Sequence, residues 1–189
     1  MEKRINEPNT ANIQYRMTKF IVLTGPESTA KSTLTQALAA HYHAPFYPEY
    51  AREYLSAKQG AYCFNDVEQI ARGQIGQYDE AIRSGAGLVF LDTWLIITKV
   101  WFEWSYHRVP HWLESSLADR PVDLYLLCRP DIPWEPDPLR EHGGEQRKQL
   151  FDRYKSELNT GGFAFSEVYG LGEARLFSAV SAINGKLQL

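Results

Sequence analysis

The sequence predicts a three-layer α/β domain, a central parallel sheet of about five strands with helices on both faces. Three observations lead there. Short apolar runs alternate with longer segments of helical period from Lys19 onward. The first apolar run ends in a loop of small residues that opens directly into a helix. The polar residues with chemical promise fall just after apolar runs, where parallel sheets bind their ligands.

Taken in order, "KFIVLT" (19–24) is a buried strand, and "KSTLTQALAAHY" (31–42) is a helix with apolar residues at Leu34, Ala37, Leu38 and Ala40. "APFYP" (44–48) is a second short strand and "EYAREYLSA" (49–57) a helix. Asn65 and Glu68 have the spacing of a capping box and predict a long helix over 66–84 that stops at Gly85. "GLVFLD" (87–92) is a third strand, followed by helices over 93–107 and 110–118 and a fourth strand over 122–128. Pro130, Pro133, Pro136 and Pro138 then forbid regular structure in "RPDIPWEPDPLREHGGEQRK" (129–148), which reads as a mobile lid. A helix over 145–158, a strand over 163–168 and a helix over 172–184 complete the chain. Residues 1–17 are polar and aperiodic and read as a flexible extension, with Met17 a candidate start; 18–189 then form one domain.

The loop "GPESTAKST" (Gly25, Pro26, Glu27, Ser28, Thr29, Ala30, Lys31, Ser32, Thr33) is one residue short of the P-loop pattern of Gly, four residues, Gly, Lys, Ser or Thr, because Ala30 replaces the second glycine. Backbone N–H groups of such a loop, with the positive end of the helix behind it, hold phosphates. Lys31 would reach the outer phosphates and the Ser32 hydroxyl would ligate Mg²⁺. Ala30 is compatible with this role if its φ is negative, as at the start of a helix, and that conformation is the expectation. The competing reading is an ordinary strand–turn–helix, which gives no reason for Lys-Ser-Thr in the first turn.

Asp92 ends the run "LVFLD", the place of a metal-holding acid, or of an acid capping the next helix. Glu49 ends the second strand, where a carboxylate can take the proton of an acceptor hydroxyl; the competing role is a favourable charge at a helix start. Arg52, one turn on, would steady Glu49 or touch substrate. In the lid, Arg140 and Arg147 are the favoured arginines for covering transferring phosphates, ahead of Arg129 and Lys148. Trp94 follows Asp92 closely; stacking on a flat ligand ring and burial in the core are equally open readings. The five histidines show no metal-ligand or nucleophile–base spacing, so none receives a role.

Composition bounds the rest. The 189 residues carry a net charge of −3, which gives no global basic field for nucleic acid. No run approaches the roughly 18 apolar residues of a membrane helix. Cys63 and Cys128 lack metal spacing and fit reduced thiols, hence a cytoplasmic protein. The phosphate loop points to ATP as a partner, and an assembly of identical copies stays open.

"GPESTAKSTL", "PEYAREYL", "IARGQIGQYDEAI", "FLDTWLIITKVW" and "DLYLLCRPDIPWEPDPLRE" together resemble the nicotinamide riboside kinase domain of NadR-type NAD regulators, and even more the stand-alone NadR-like P-loop ATPases. The resemblance spans about residues 18–184. It implies a kinase-like P-loop NTPase fold, ATP, Mg²⁺ and phosphorylation of a riboside hydroxyl. It gives residues 25–33 the ATP phosphates, Asp92 the metal or the substrate hydroxyl, and Arg140 and Arg147 the lid roles. The adenine would lie near "VYGLGEAR" (168–175). The regulators' DNA-binding and adenylyltransferase modules have no counterpart in these residues. Two positions depart from the family: Ala30, and Trp94, which stands where the NadR kinase domains carry the second acid of "DTD". The rival readings are a kinase for another nucleoside and a nucleotide-binding ATPase or switch without an acceptor.

Overall fold

Alternating residues of each central strand face opposite sides of the sheet, and that period builds two cores. The computed structural model describes residues 18–58 and 60–188; the extension expected at 1–17 lies outside them. Five strands, β1 (Lys19–Thr24), β2 (Phe46–Tyr47), β3 (Leu88–Asp92), β4 (Leu124–Cys128) and β5 (Phe165–Val168), form one sheet in the order β2-β3-β1-β4-β5. Every neighbouring pair is parallel. The helices are α1 (Lys31–Tyr42), α2 (Tyr50–Ala57), α3 (Phe64–Ser84), α4 (Leu95–Tyr106), α5 (His111–Asp119), α6 (Gly144–Thr160) and α7 (Gly172–Leu187).

Phe20, Val22, Val89, Leu91, Tyr125 and Leu127 face α3 to α6 in the larger, aromatic core. Ile21, Leu23, Phe90, Leu124 and Leu126 face α1 and α7 in the smaller, aliphatic one. Because helices cover both faces, the strands are continuous apolar runs rather than alternating ones. With β1 central and β3 and β4 on either side of it, a crevice opens beyond the strand C-termini.

The expected elements are present, with shifted ends. The second strand shrinks to Phe46–Tyr47 at the sheet edge, paired with β3 alone. The capping box is displaced by two residues. Asp66, not Glu68, reaches back, and its Oδ2 accepts the Cys63 N–H at 2.7 Å, so α3 starts at Phe64. Asp66 wins because it also receives the Tyr54 hydroxyl at 2.9 Å and Lys58 at 3.1 Å, partners that a sequence window around Asn65 does not contain. Its stop at Gly85, φ 68, is as expected. Helix α6 begins at Gly144, so the last residues of the predicted lid are helical.

Candidate functional site

The loop after β1 folds tightly onto the end of β4. Gly25 has φ 129, and a Cβ there would stand 2.7 Å from the Cys128 carbonyl oxygen, so the position requires glycine. Ser28 and Ala30 are also left-handed, at φ 54 and 56. The expectation for Ala30 is therefore corrected. It is the N-cap of α1 in the αL region, its carbonyl taking the Leu34 N–H at 3.0 Å. The chain must reverse immediately before the helix, and it does so through Ala30 at a cost of about 1–2 kcal/mol. Thr29 Oγ1 donates to the Pro26 carbonyl at 2.9 Å and braces the turn. No acid sits in the first turn of α1, so its positive end is left uncompensated. Lys31 Nζ donates to the carbonyls of Gly25 (3.1 Å) and Pro26 (2.9 Å), parked across the loop it would serve.

A cavity of about 380 Å³ lies on this loop, within the range of small-molecule sites. Gly25, Glu27, Ser28, Thr29, Ala30, Lys31, Ser32 and Thr33 line one end; Pro26 is buried beneath it. The other end is closed by Tyr62, Ile97, Trp101, Trp104, Leu150 and Tyr154. Trp101 Nε1 donates to the Tyr62 hydroxyl at 3.2 Å, and the two rings meet edge to face at 4.9 Å.

Glu49 also lines the cavity, as the N-cap of α2, with 27% of its side-chain surface exposed. Burial pushes its carboxyl above the usual range, and Asp92 and Glu27 push the same way, against Lys31 and Arg52. Arg52 lines the cavity as well and pairs with Asp137 at 3.1 Å and with Glu49 at 4.0 Å. Asp92 is 3% exposed and stands behind the cavity wall, with its neighbours Ser32 and Thr93 in front. Burial raises its carboxyl too, opposed by a hydrogen bond from Ser32 and by Lys31 and Arg52.

Asp92 Oδ1 is buried with no hydrogen-bond partner. An unpaired carboxylate oxygen beside a first-turn serine fits Mg²⁺, which takes one or two protein oxygens and completes its shell with water and phosphate. Among the described residues no cluster of three His, Cys, Asp or Glu side chains could hold a metal by itself, so such an ion would need the phosphates.

Two predicted site residues go elsewhere. Trp94 is 1% exposed and its ring stacks on Tyr78 at 5.0 Å and 27°, in the larger core. Thr93 is the cause. Its φ of 75 turns the chain so that Trp94 points inward, and the ligand-stacking reading of Trp94 is corrected. Arg147 is 6% exposed and donates to the carbonyls of Glu27 (3.1 Å), Ile132 (2.8 Å) and Ser28. Its guanidinium is spent on backbone oxygens, not directed at phosphate, and it fastens the lid to the loop. Desolvation, then the Arg175 charge, lowers its pKa. Arg140, by contrast, lines the cavity, anchored by Nη1 to the Glu135 carbonyl. Arg129 and Lys148 pair outside, with Glu167 and Glu145.

The lid is tied down at further points. Glu27 Oε2 accepts the N–H groups of Glu141 and His142, each at 2.9 Å, and the His142 ring faces Oε1 at 3.5 Å. Burial would raise Glu27, but His142 and these N–H groups outweigh it and leave the carboxyl lowered; the hydrogen bond to Glu27 raises His142. The Glu135 N–H donates to Ser28 Oγ at 3.0 Å. The Tyr62 hydroxyl donates to Glu141 at 2.8 Å; burial, then that bond, pushes Tyr62 up to about 12.

Sequence reasoning missed Tyr62, Gln74, Thr93, Thr98, Trp101, Trp104 and His142 on the cavity. The sequence crowds Trp94, Trp101, Phe102, Trp104, Tyr106 and Trp112 after Asp92, and that crowding was the one local signal for any of them. His142 meets Glu27 across 115 residues of chain, a pairing no local spacing encodes.

A family described as "AAA domain" matches residues 20–175. The trifunctional NAD biosynthesis/regulator protein NadR of Salmonella typhimurium is 26% identical over 144 residues, 74% of this chain and 35% of that protein; the match thus spans about a third of the relative's length. A crystal structure of NadR protein in complex with NR superposes with a TM-score of 0.76 at 25% identity, covering 95% of this chain and 54% of the other. A second, with NAD and AMP-PNP, gives 0.70 at 25% identity over 95% and 52%. Thymidylate kinase from Ehrlichia chaffeensis, 11% identical with a TM-score of 0.63 over 89% and 98%, shares the fold. The chain belongs to this AAA domain family and is a NadR-like P-loop protein with a kinase-like fold.

Proposed function

We propose that the domain transfers the γ-phosphoryl group of Mg·ATP to a hydroxyl of a nucleoside-like acceptor, with nicotinamide riboside the leading candidate. The observation that carries this reading is the two-ended cavity. A phosphate loop alone would serve an ATPase or a switch, whereas a kinase needs a second compartment for the acceptor. Here Tyr62, Trp101 and Trp104 line the same cavity as the loop, and Glu49 lines it too, within range of the Lys31 charge. The NadR complexes with NR and with AMP-PNP support the choice of ligands.

In this reading Lys31 leaves the Gly25 and Pro26 carbonyls for the outer phosphates, and α1 directs its positive end at them. Ser32 and Asp92 would hold Mg²⁺, which would supply positive charge to offset that of the phosphates. Glu49 takes the hydroxyl proton as the acceptor oxygen bonds to the γ-phosphorus and the bond from that phosphorus to the bridging oxygen breaks, leaving ADP. Of the two carboxylates considered as base, Glu49 alone faces the cavity; Asp92 is engaged with Ser32. Arg140 covers the transferred group from the lid. The adenine lies beyond β5, where Tyr169 and Leu171 are 57% and 60% exposed and the Arg129 guanidinium stands 5.8 Å from the Tyr169 ring.

A coupled assay of ADP release against a panel of ribosides tests the reading. Stimulation by nicotinamide riboside is expected. Stimulation by a different riboside alone would keep the kinase and replace its substrate, and a flat response across the panel would remove the kinase.

A further inference from the structure

Gln74 of α3 is 2% exposed and lies between two threonines of other segments, Thr93 after β3 and Thr98 on α4. Thr98 Oγ1 donates to Gln74 Oε1 at 2.6 Å, and Gln74 Nε2 donates to Thr93 Oγ1 at 3.3 Å. The lengths agree with this direction: 2.6 Å suits O–H···O and is short for an amide N–H, whereas 3.3 Å is long even for N–H···O. The Thr93 oxygen has therefore received a proton and keeps its own to give. Thr98 has given its proton and keeps lone pairs to accept with. All three residues line the acceptor cavity.

Thr93 is also held in the left-handed region at φ 75, which a β-branched residue avoids. Such strain persists where surrounding structure enforces it, and it collects at functional sites. The Thr93 N–H is fixed on the Leu23 carbonyl at 3.2 Å, and on either side Asp92 meets Ser32 while Trp94 enters the core. The charged groups of the cavity, Glu27, Lys31, Glu49, Arg52, Arg140 and Glu141, come from the phosphate loop, the start of α2 and the lid. The threonine pair is uncharged.

We propose that Thr93 and Thr98 are a donor–acceptor couple that selects the acceptor, with Gln74 as the positioning residue that sets its polarity. The matching group on the acceptor is neutral and carries a hydrogen-bond acceptor beside a donor, as a primary carboxamide or a vicinal diol does. A carboxylate in that place satisfies Thr93 but offers Thr98 no proton, and it is disfavoured. The inference rests on the kinase reading and specifies the substrate class of that site.

The test measures kcat and KM for nicotinamide riboside, its nicotinic acid counterpart and its 2′-deoxy form, with the full chain and its variants. Thr93→Val keeps the shape and removes the hydroxyl, as does Thr98→Val. Each is expected to raise the KM for nicotinamide riboside roughly tenfold, the loss of about one good hydrogen bond, with the KM for ATP unchanged. The wild type should disfavour one analogue, the acid if the couple holds the carboxamide and the deoxy form if it holds the diol, and the valine variants should lose that preference. Thr93→Ser should restore it, and Gln74→Met, which leaves both hydroxyls but frees them to rotate, should lose the preference with a smaller rise in KM. Thermal melting separates these effects from misfolding. A KM within twofold of wild type in both valine variants, with a wild type that turns over nicotinamide riboside, overturns the couple and leaves the kinase. A wild type inert with every riboside overturns the kinase reading, and this inference with it.

Discussion

The proposed phosphate end of the cavity is made by one continuous stretch, residues 25–33, whereas the proposed acceptor end is assembled from the loop before α3, from α3, α4 and α6, and from the lid. The first is a backbone device. Its left-handed turns at Gly25, Ser28 and Ala30 and the start of α1 create positive potential without many side chains. The second is a side-chain device of aromatic rings and fixed hydroxyls, and it exists only when distant segments pack. A backbone device tolerates a changed residue such as Ala30 at a modest energetic cost. A side-chain device changes its ligand when one residue is exchanged. The difference explains how a chain can share a phosphate loop with many kinases while its acceptor is set locally.

The largest expected effect breaks the junction between the ends. Glu49→Gln should lower kcat by about 10²–10⁴, the usual contribution of a general base, with ATP affinity retained in a titration. The same group has a pH signature. Because burial raises Glu49, the acid limb of the kcat/KM profile should lie above the ordinary carboxylate range. The sign for stability follows from the same direction. Below the unfolded pKa the group is protonated in both states and has no effect; as pH rises through the folded pKa, the folded state loses stability. Glu49→Gln should therefore raise the melting temperature at neutral pH. That gain should disappear on acidification below pH ~4.

Lys31→Ala acts on the phosphate end alone. Nucleotide binding measured by calorimetry should weaken about 100-fold, the scale of losing one aimed cationic donor, while riboside binding persists; full ATP affinity in this variant would contradict the loop's role. Trp101→Ala acts on the acceptor end alone. It removes a ring wall and the donor to Tyr62, so the riboside KM should rise about five- to tenfold with the ATP KM unchanged. The smallest effect is Ala30→Gly, which relieves the left-handed alanine and should stabilise the fold by about 1 kcal/mol in denaturant unfolding. Little change in ATP affinity should accompany it.

The same division explains what the sequence revealed. Strands, helices and the phosphate loop were legible because each is encoded by neighbours, as apolar runs, a 3.6 period or a strand–loop–Lys-Ser junction. The N-cap at Cys63 was missed by two residues because Tyr54 and Lys58, from another segment, decide which acid caps the helix. Ala30 was misjudged because propensity describes helix interiors, and the chain reverses just before this one. Trp94 and Arg147 were assigned by position along the chain, but one strained torsion turns Trp94 into the core, and three carbonyls of the loop and lid claim Arg147. The polarised threonines had no local signal, since their link is a glutamine 19 residues from one and 24 from the other.

The most direct measurement is phosphorus NMR of the full chain with Mg²⁺, ATP and nicotinamide riboside. A two-ended kinase cavity predicts a new phosphomonoester resonance growing in step with ADP, lost in Glu49→Gln. ADP accompanied only by inorganic phosphate, at the same rate with and without riboside, would contradict it.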